Sequence, residues 1–471
     1  MKRISALFLV SLFVLSTLLT GCGEKNDNPS SPSITPTKSA DKDIKNEPTI
    51  TKVPDDHVIN VYCPTEDVAK MILKYKELHP DFDYDVKEFT FATADISFTT
   101  ALDESLAAGG ENTPDIYCAD SINVMKYTQG DVAEYATPYK DLGIDVDNLV
   151  KEADIAPYII DKGTSKDGKL LSLGYEGDGG AFIYRRSIAK KVWGTGDPEA
   201  IKDKIGSGWD KFFKAAADLK AKGYGIVSGD GDIWLSIANS ADTPWVVDGK
   251  LNIDPKREAF FDYAKQLKDK GYSNNTQDWT DPWYDDMKGA GKKKIFGFFG
   301  PQWLISYTLM DHSGGDKVGK GTYGDWAVCE PPVGFAQGGN WVFVNKNSNN
   351  KDVLGDVVKW MTLDSSQTGL QYFLANGMLD FSNGVKTTVA SGTVMKNTEN
   401  KLDFLGGQNM FEVYDKAAKL ANGKVSTEFD EGINFYWREQ VREFTSGKKI
   451  KEQAMEDFKK NVKENLKIEV E

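Results

Sequence analysis

Histidine is scarce in this chain. His57, His79 and His312 are the only three, and none stands near a cysteine or an acidic pair at metal-ligand spacing. Cysteine is nearly as rare: Cys22, Cys63, Cys118 and Cys329 are widely separated. Cys63 and Cys118 fall in apolar strand-like runs, which suits buried free thiols better than a disulfide. Positive charge is also short, with 57 Lys and Arg against 71 Asp and Glu and a formal net charge of −14. That balance excludes a nucleic-acid partner, whose binding rests on cationic phosphate contacts. No nucleophile elbow, phosphate loop or dinucleotide glycine pattern follows the first strand, where Cys63-Pro64-Thr65-Glu66-Asp67 stands instead. Acids are abundant enough for a glycosidase pair, but abundance carries no geometry. Asp230-Gly231-Asp232 fits a polar turn better than a calcium loop. No catalytic residue, metal site or cofactor is read from the sequence.

What the chain does have begins at Met1. Lys2 and Arg3 precede an apolar stretch, Ala6 to Leu19, too short to require a spanning helix. It ends in Leu19-Thr20-Gly21-Cys22, which resembles the bacterial lipobox. The resemblance implies a signal peptide over 1–22 and a diacylated Cys22 that anchors the protein at the outer face of the cytoplasmic membrane. Residues 23–55 are rich in Ser, Pro, Asn, Asp, Lys and Thr and poor in large apolar side chains, the composition of a disordered tether. Such a chain spans on the order of 30 Å end to end. About 415 residues remain, enough for two or three domains.

Beyond the tether the pattern alternates. Val58 to Cys63 reads as a buried strand, and a helix follows with Val68, Met71, Ile72, Tyr75 and Leu78 on one face. Tyr84 to Phe91, a helix over Ala94–Ala108, a strand at Asp115–Ala119 and a helix at Val124–Gln129 continue the alternation of a parallel sheet. The same alternation is expected past residue 180. Helices there start at Ser207-Gly208-Trp209-Asp210, where Ser suits an N-cap, and at Asp254-Pro255. Strands are expected over Lys294–Phe299 and Asn340–Val344, and a last helix over Ile450–Leu466.

Residues 168–186 sit at the centre of this order. Leu170 to Tyr175 and Ala181 to Tyr184 flank Glu176-Gly177-Asp178-Gly179-Gly180. The stretch fits a β-hairpin, since Asp-Gly and Gly-Gly between apolar runs is a strong turn signal. It equally fits a crossover between two α/β lobes, with glycines as hinges that let a ligand come close.

Binding is better supported than catalysis. A pyranose needs flat aromatic faces and a few placed polar groups. Of eleven tryptophans, Trp209 and Trp360 lie in helical faces and read as core. Trp234, Trp245, Trp283, Trp303 and Trp341 lie in loops or beside glycine, where a ligand explains an exposed ring. Asn340 joins them after Gly338-Gly339. Ligands in open α/β sheets sit beyond the carboxyl ends of strands. That nominates Glu66 and Asp67 after the first strand, Asp120 after the third, and Glu176 and Asp178 in the crossover. Glu66 and Asp67 equally suit a helix N-terminus, and Asp120 a cap.

The order of landmarks resembles the extracellular solute-binding proteins of bacterial ABC importers, family 1, the maltose-binding-like group. Lys74 to Phe82 resembles that family's helix end at Pro-Asp, and Leu106 to Gly109 followed by Thr113-Pro114-Asp115-Ile116 its step into the third strand. Gly168 to Arg186 resembles its crossover, Trp209-Asp210-Lys211-Phe212 its helix start, and Gly300-Pro301-Gln302-Trp303 its Gly-x-Trp turn. Gly174, Arg185-Arg186 and the segment Thr195–Ile205 depart from the pattern.

The resemblance implies a periplasmic-binding-protein-like α/β fold of two lobes joined by crossover hinge strands. Lobe one would be 56–175 with 338–382, and lobe two 177–332 with 383–471. It turns the reading of Glu176–Gly180 toward a hinge. It also implies that Trp303 and Trp341 face the cleft and that Phe435, Tyr436 and Trp437 belong to a C-terminal aromatic cluster on the ligand. The expected function is a lipid-anchored, monomeric, non-enzymatic receptor that captures a carbohydrate and delivers it to ABC permease subunits. A secreted polysaccharide hydrolase and a surface carbohydrate-binding module without a transporter are the alternatives.

Overall fold

The computed structural model describes residues 57–90 and 96–470. The expected signal peptide, Cys22 and the tether lie outside the described residues.

The largely apolar run Val58–Cys63, broken by a buried Asn60, forms strand β1, covered on both sides as such a run requires. β2 (Asp85–Thr90) and β3 (Ile116–Asp120) pair with it in parallel. The Asp67–Leu78 helix between β1 and β2 buries Val68, Met71, Ile72 and Tyr75 and stops ahead of Pro80. The remaining strands are β4 (Leu173–Gly174), β5 (Ala181–Arg185), β6 (Gly297–Gly300), β7 (Trp326–Cys329) and β8 (Asn340–Val344). The first sheet runs β2-β1-β3-β8-β4, with β8 antiparallel to both neighbours. Cys63 and Cys118 are buried free thiols on the neighbouring strands β1 and β3, with 2.6 Å between sulfurs.

Glu176–Gly180 is a crossover. β4 pairs with β8 in the first sheet, whereas β5 pairs with β6 and β7 in a second sheet of three strands. Glu176 bridges to Val389 and Gly179 to Ala336, so other passages of chain run beside it. Its glycines serve close packing. A Cβ at Gly177 would stand 2.2 Å from the Val389 carbonyl oxygen, and one at Gly180 would stand 2.0 Å from the Phe335 ring. Residues 387–393 bond back to Leu374, Asp154 and Ala153.

The second half departs from the expected parallel alternation, because β5 is antiparallel to both partners. Among the described residues, parallel pairing survives there in the bridges Gly225–Ile295, Val227–Ser273 and Lys250–Glu469. A short buried apolar run shows that a strand exists, not which way it points. The side chains of β5 alternate between two cores, as a strand's period of two requires. Ile183 joins the core beneath the first sheet, while Phe182 and Tyr184 join one with Phe212, Phe213 and Phe299. The Trp209–Ala221 helix starts from Gly208 at φ 90° with no side-chain cap, so the expected Ser207 cap is not made. Asp254 does cap its helix, accepting from the Lys256 N–H. Among the described residues no helix is long and apolar enough to cross a membrane.

Candidate functional site

A pocket of about 430 Å³ lies beyond the carboxyl end of β3. Ser121 and Ile122, just past that strand, and Lys162 from the Pro157–Gly163 helix form one wall. Opposite stand the Gly231–Asn239 helix, Trp279, Trp283, and the first turns of the Asp430–Ser446 helix. Its volume falls within the range of small-molecule sites.

Three indoles run through this region. Trp283 is buried and donates its ring N–H to Asp232 at 3.0 Å. Trp279 packs on it with ring centroids 5.0 Å apart, and Trp303 lies nearly parallel to Trp279 at 6.1 Å. Trp303 is fixed by donating to the Gln337 carbonyl, 2.9 Å away. Trp279 is half-buried and adopts φ +62°, a left-handed conformation. For a bulky residue that costs about 1–2 kcal/mol. Strain of this kind concentrates at ligand sites, where the neighbouring structure holds it in place.

Asp232 anchors the pocket floor. Its carboxylate also accepts from the backbone N–H groups of Ser228 and Gly229, at 2.8 and 3.0 Å. Burial still pushes its pKa up to about 7. The charges around it are partnered. Arg438 bonds both oxygens of Asp278 at 2.7 and 2.8 Å, passing where a side chain on Gly231 would stand. Arg257 stacks over Trp245 at 4.6 Å and donates to the carbonyls of Thr243 and Val425. Lys162 donates to the Ser121 carbonyl at 3.1 Å, and burial lowers its pKa.

The crossover side differs in charge. Glu176, half-buried, takes a 3.4 Å side-chain bond from Asn340 and a bond from the Asn340 backbone N–H. Burial, then the nearby Asp67 charge, push its pKa up to about 7. Asp178 is 4 % exposed, and its Oδ2 has no hydrogen-bond partner. Burial, then Glu176, raise its pKa. Asp67, at the start of the Asp67–Leu78 helix, is raised by burial as well.

A strap of chain, 419–428, touches both walls. Lys419 pairs with Asp154 at 2.6 Å, and Lys166 lies 4.0 Å from Glu428. Gly423 sits so close to Tyr158 and Asp161 that a Cβ would overlap them. On the other wall, Val425 receives the Arg257 hydrogen bond.

Residues 70–431 match the family model described as bacterial extracellular solute-binding protein. The chain belongs to that family. No curated protein matches it. Among solved structures it is similar to an extracellular solute-binding protein of family 1, with 16% identity over 86% of this chain and 98% of that one and a TM-score of 0.70. It is similar to the galacto-N-biose/lacto-N-biose I-binding protein of the ABC transporter from Bifidobacterium longum, at 18% identity, TM-score 0.63, covering 89% and 100%. It is also similar to the sugar-binding protein MalE from Xanthomonas citri, at 15% identity, TM-score 0.63, covering 86% and 96%. At these identities the likeness establishes a periplasmic-binding-protein-like fold of two α/β lobes.

Against this solute-binding architecture the expected residues separate. Trp234, Trp245 and Trp283 line the pocket, though each is nearly buried. Trp303 stands beside it through Trp279. Trp341 is core instead: β8 is central in its sheet, and the indole donates inward to Ile159. Trp437 is core too, packed against Phe261, Trp245 and Phe458. Tyr436 is half-buried against Phe435. Glu66 is exposed and paired with Lys70 at 2.6 Å, an ordinary helix-surface pair. Asp120 accepts from the Ile122 and Asn123 N–H groups, a turn cap. Asp67, Glu176, Asp178 and Asn340 gather at the crossover.

Trp279, Asp278 and Arg438 were not foreseen as site residues. The helical period could have found Arg438. Ile433, Trp437 and Val441 form the core stripe, which leaves Asn434, Phe435 and Arg438 for the pocket. Among the described residues no group of three His, Cys, Asp or Glu side chains is placed to hold a metal ion.

Proposed function

We propose that this protein is a non-enzymatic receptor that captures a carbohydrate of oligosaccharide size between its lobes and delivers it to the permease of an ABC importer. The observation that carries the reading is the half-exposed Trp279–Trp303 pair beside a pocket that also offers Asp278, Arg438 and Asn434. Flat rings with sparse, fixed polar groups suit a sugar's C–H face and hydroxyls. Sugar-binding neighbours of the same fold support it. In the same reading the lobes are 56–175 with 338–382, and 177–332 with 383–471. Acylated Cys22 holds the monomeric receptor at the outer face of the cytoplasmic membrane, on a tether of residues 23–55. Closure is stabilised only by the ligand's preference for the closed form.

A thermal-shift screen over glycans tests the capture step. A ligand at a hundred times its Kd stabilises the folded state by about 2.7 kcal/mol. If no glycan raises the melting temperature, the carbohydrate assignment falls. Mass spectrometry of the N-terminal peptide from membranes tests the anchor. An unmodified Cys22 would remove it.

A further inference from the structure

Asp67, Glu176 and Asp178 together hold few hydrogen-bond donors. Thr65 reaches Asp67 at 3.3 Å, Asn340 reaches Glu176 with its side chain at 3.4 Å and with its backbone N–H, and Asp178 Oδ2 receives nothing. Among the described residues no lysine or arginine forms an ion pair with any of the three; the nearby Lys70 is held by Glu66. Glu176 and Asp178 are two apart in the crossover, and the Glu176 charge acts on Asp178.

Two glycines border Asp178. Gly338 and Gly339 adopt φ of +101° and +93°. A Cβ on Gly339 would meet Asp178 Oδ2 at 3.0 Å, and one on Gly338 would meet Trp303 Nε1 at 2.7 Å. The glycine backbone therefore packs directly against the orphaned carboxylate and the indole. Half-exposed Asn340 and Trp303 border it, and the 56 % exposed Tyr307 lies within reach of the Glu176 and Asp67 charges.

A buried carboxylate without donors is costly unless a partner supplies them. Neutral hydroxyls would supply hydrogen bonds but leave the clustered negative charge. An ammonium supplies both donors and the opposite charge. We infer that the crossover end of the cleft, formed by Asp67, Glu176, Asp178, Asn340 and the Gly338-Gly339 turn, is a subsite for a protonated amine, and that the captured ligand is an amino sugar with a free amine. This rests on the carbohydrate reading above.

The test is calorimetry and thermal shift on the full chain with matched sets. Each set holds a free-amine sugar, its N-acetyl form and its parent neutral sugar, as monosaccharides and as α- and β-linked di- and trisaccharides; spermidine is a sugar-free arm. The expected result is a free-amine member binding about tenfold or more tighter than its N-acetyl and neutral partners. Glu176→Gln and Asp67→Asn should each erase most of that advantage. Neutral or N-acetylated members binding as well as the amine would overturn the subsite while leaving sugar capture standing. An amine advantage unchanged in both variants would also overturn it. Binding of spermidine with no glycan would remove the sugar and keep the amine site. No response to any probe would overturn both readings. Far-ultraviolet dichroism and unliganded melting of the two variants establish that they fold.

Discussion

Asp232 and Glu176 are both pushed up to about pH 7, yet they belong to opposite kinds of surroundings. Asp232 lies on the pocket floor with three donors aimed at it from Ser228, Gly229 and Trp283. Glu176 lies at the crossover with Asn340 for a partner and two other carboxylates for company. The first is a finished structural group that orients an indole. The second is unfinished, and it gains from whatever arrives. A raised pKa alone does not distinguish a brace from a binding group; the count of donors does.

The largest expected break in this comparison comes from Trp279. Trp279→Gly removes the exposed ring and relieves the left-handed backbone. Carbohydrate affinity should fall at least tenfold by calorimetry while the melting temperature holds or rises. A fall in melting temperature with affinity intact would make Trp279 a packing residue. Next in size is Asp232→Asn, which puts an amide NH₂ where the carboxylate accepts. It should destabilise the fold by about 1–3 kcal/mol in urea unfolding, at pH 8 as well as at pH 6.

Glu176→Gln should act in the other direction, by about 1 kcal/mol. The folded state holds the Glu176 proton more tightly than the unfolded chain does, whose ordinary value is 4.5. Its contribution to stability is therefore whole below about pH 4.5 and is lost as pH rises through about 7. Unliganded melting temperatures should fall across that window, and the variant should flatten the fall and be the more stable protein at pH 8. A variant less stable than the parent at pH 8 would show that Glu176 is a brace like Asp232. The smallest effect belongs to Glu66→Ala, which removes an exposed pair with Lys70. It should leave the melting temperature and binding essentially unchanged.

Much of the fold was legible because periodicity reports burial. Val68, Met71, Ile72 and Tyr75 placed the first crossover helix, and Val124–Gln129 and Asn340–Val344 appear with the bounds expected of them. The direction of β5, β6 and β7 was not legible, since pairing sense depends on partners far along the chain. The site was legible in neighbourhood more than in detail. A tryptophan beside glycine reads alike in a cleft and in a sheet core, so Trp341 and Trp303 could not be told apart. Trp279 was missed because no local signal marks a bulky residue held at positive φ.

The 419–428 strap is held in two ways. Its ties to one wall run through the ion pairs Lys419–Asp154 and Lys166–Glu428, both partly open to solvent. Its ties to the other wall run through Arg257, stacked and buried. Added salt weakens the first set far more than the second. The charged contacts at Asp154 and Lys166 would loosen with ionic strength, while the packing of Gly423 on Tyr158 and Asp161 and the Arg257 contacts would hold.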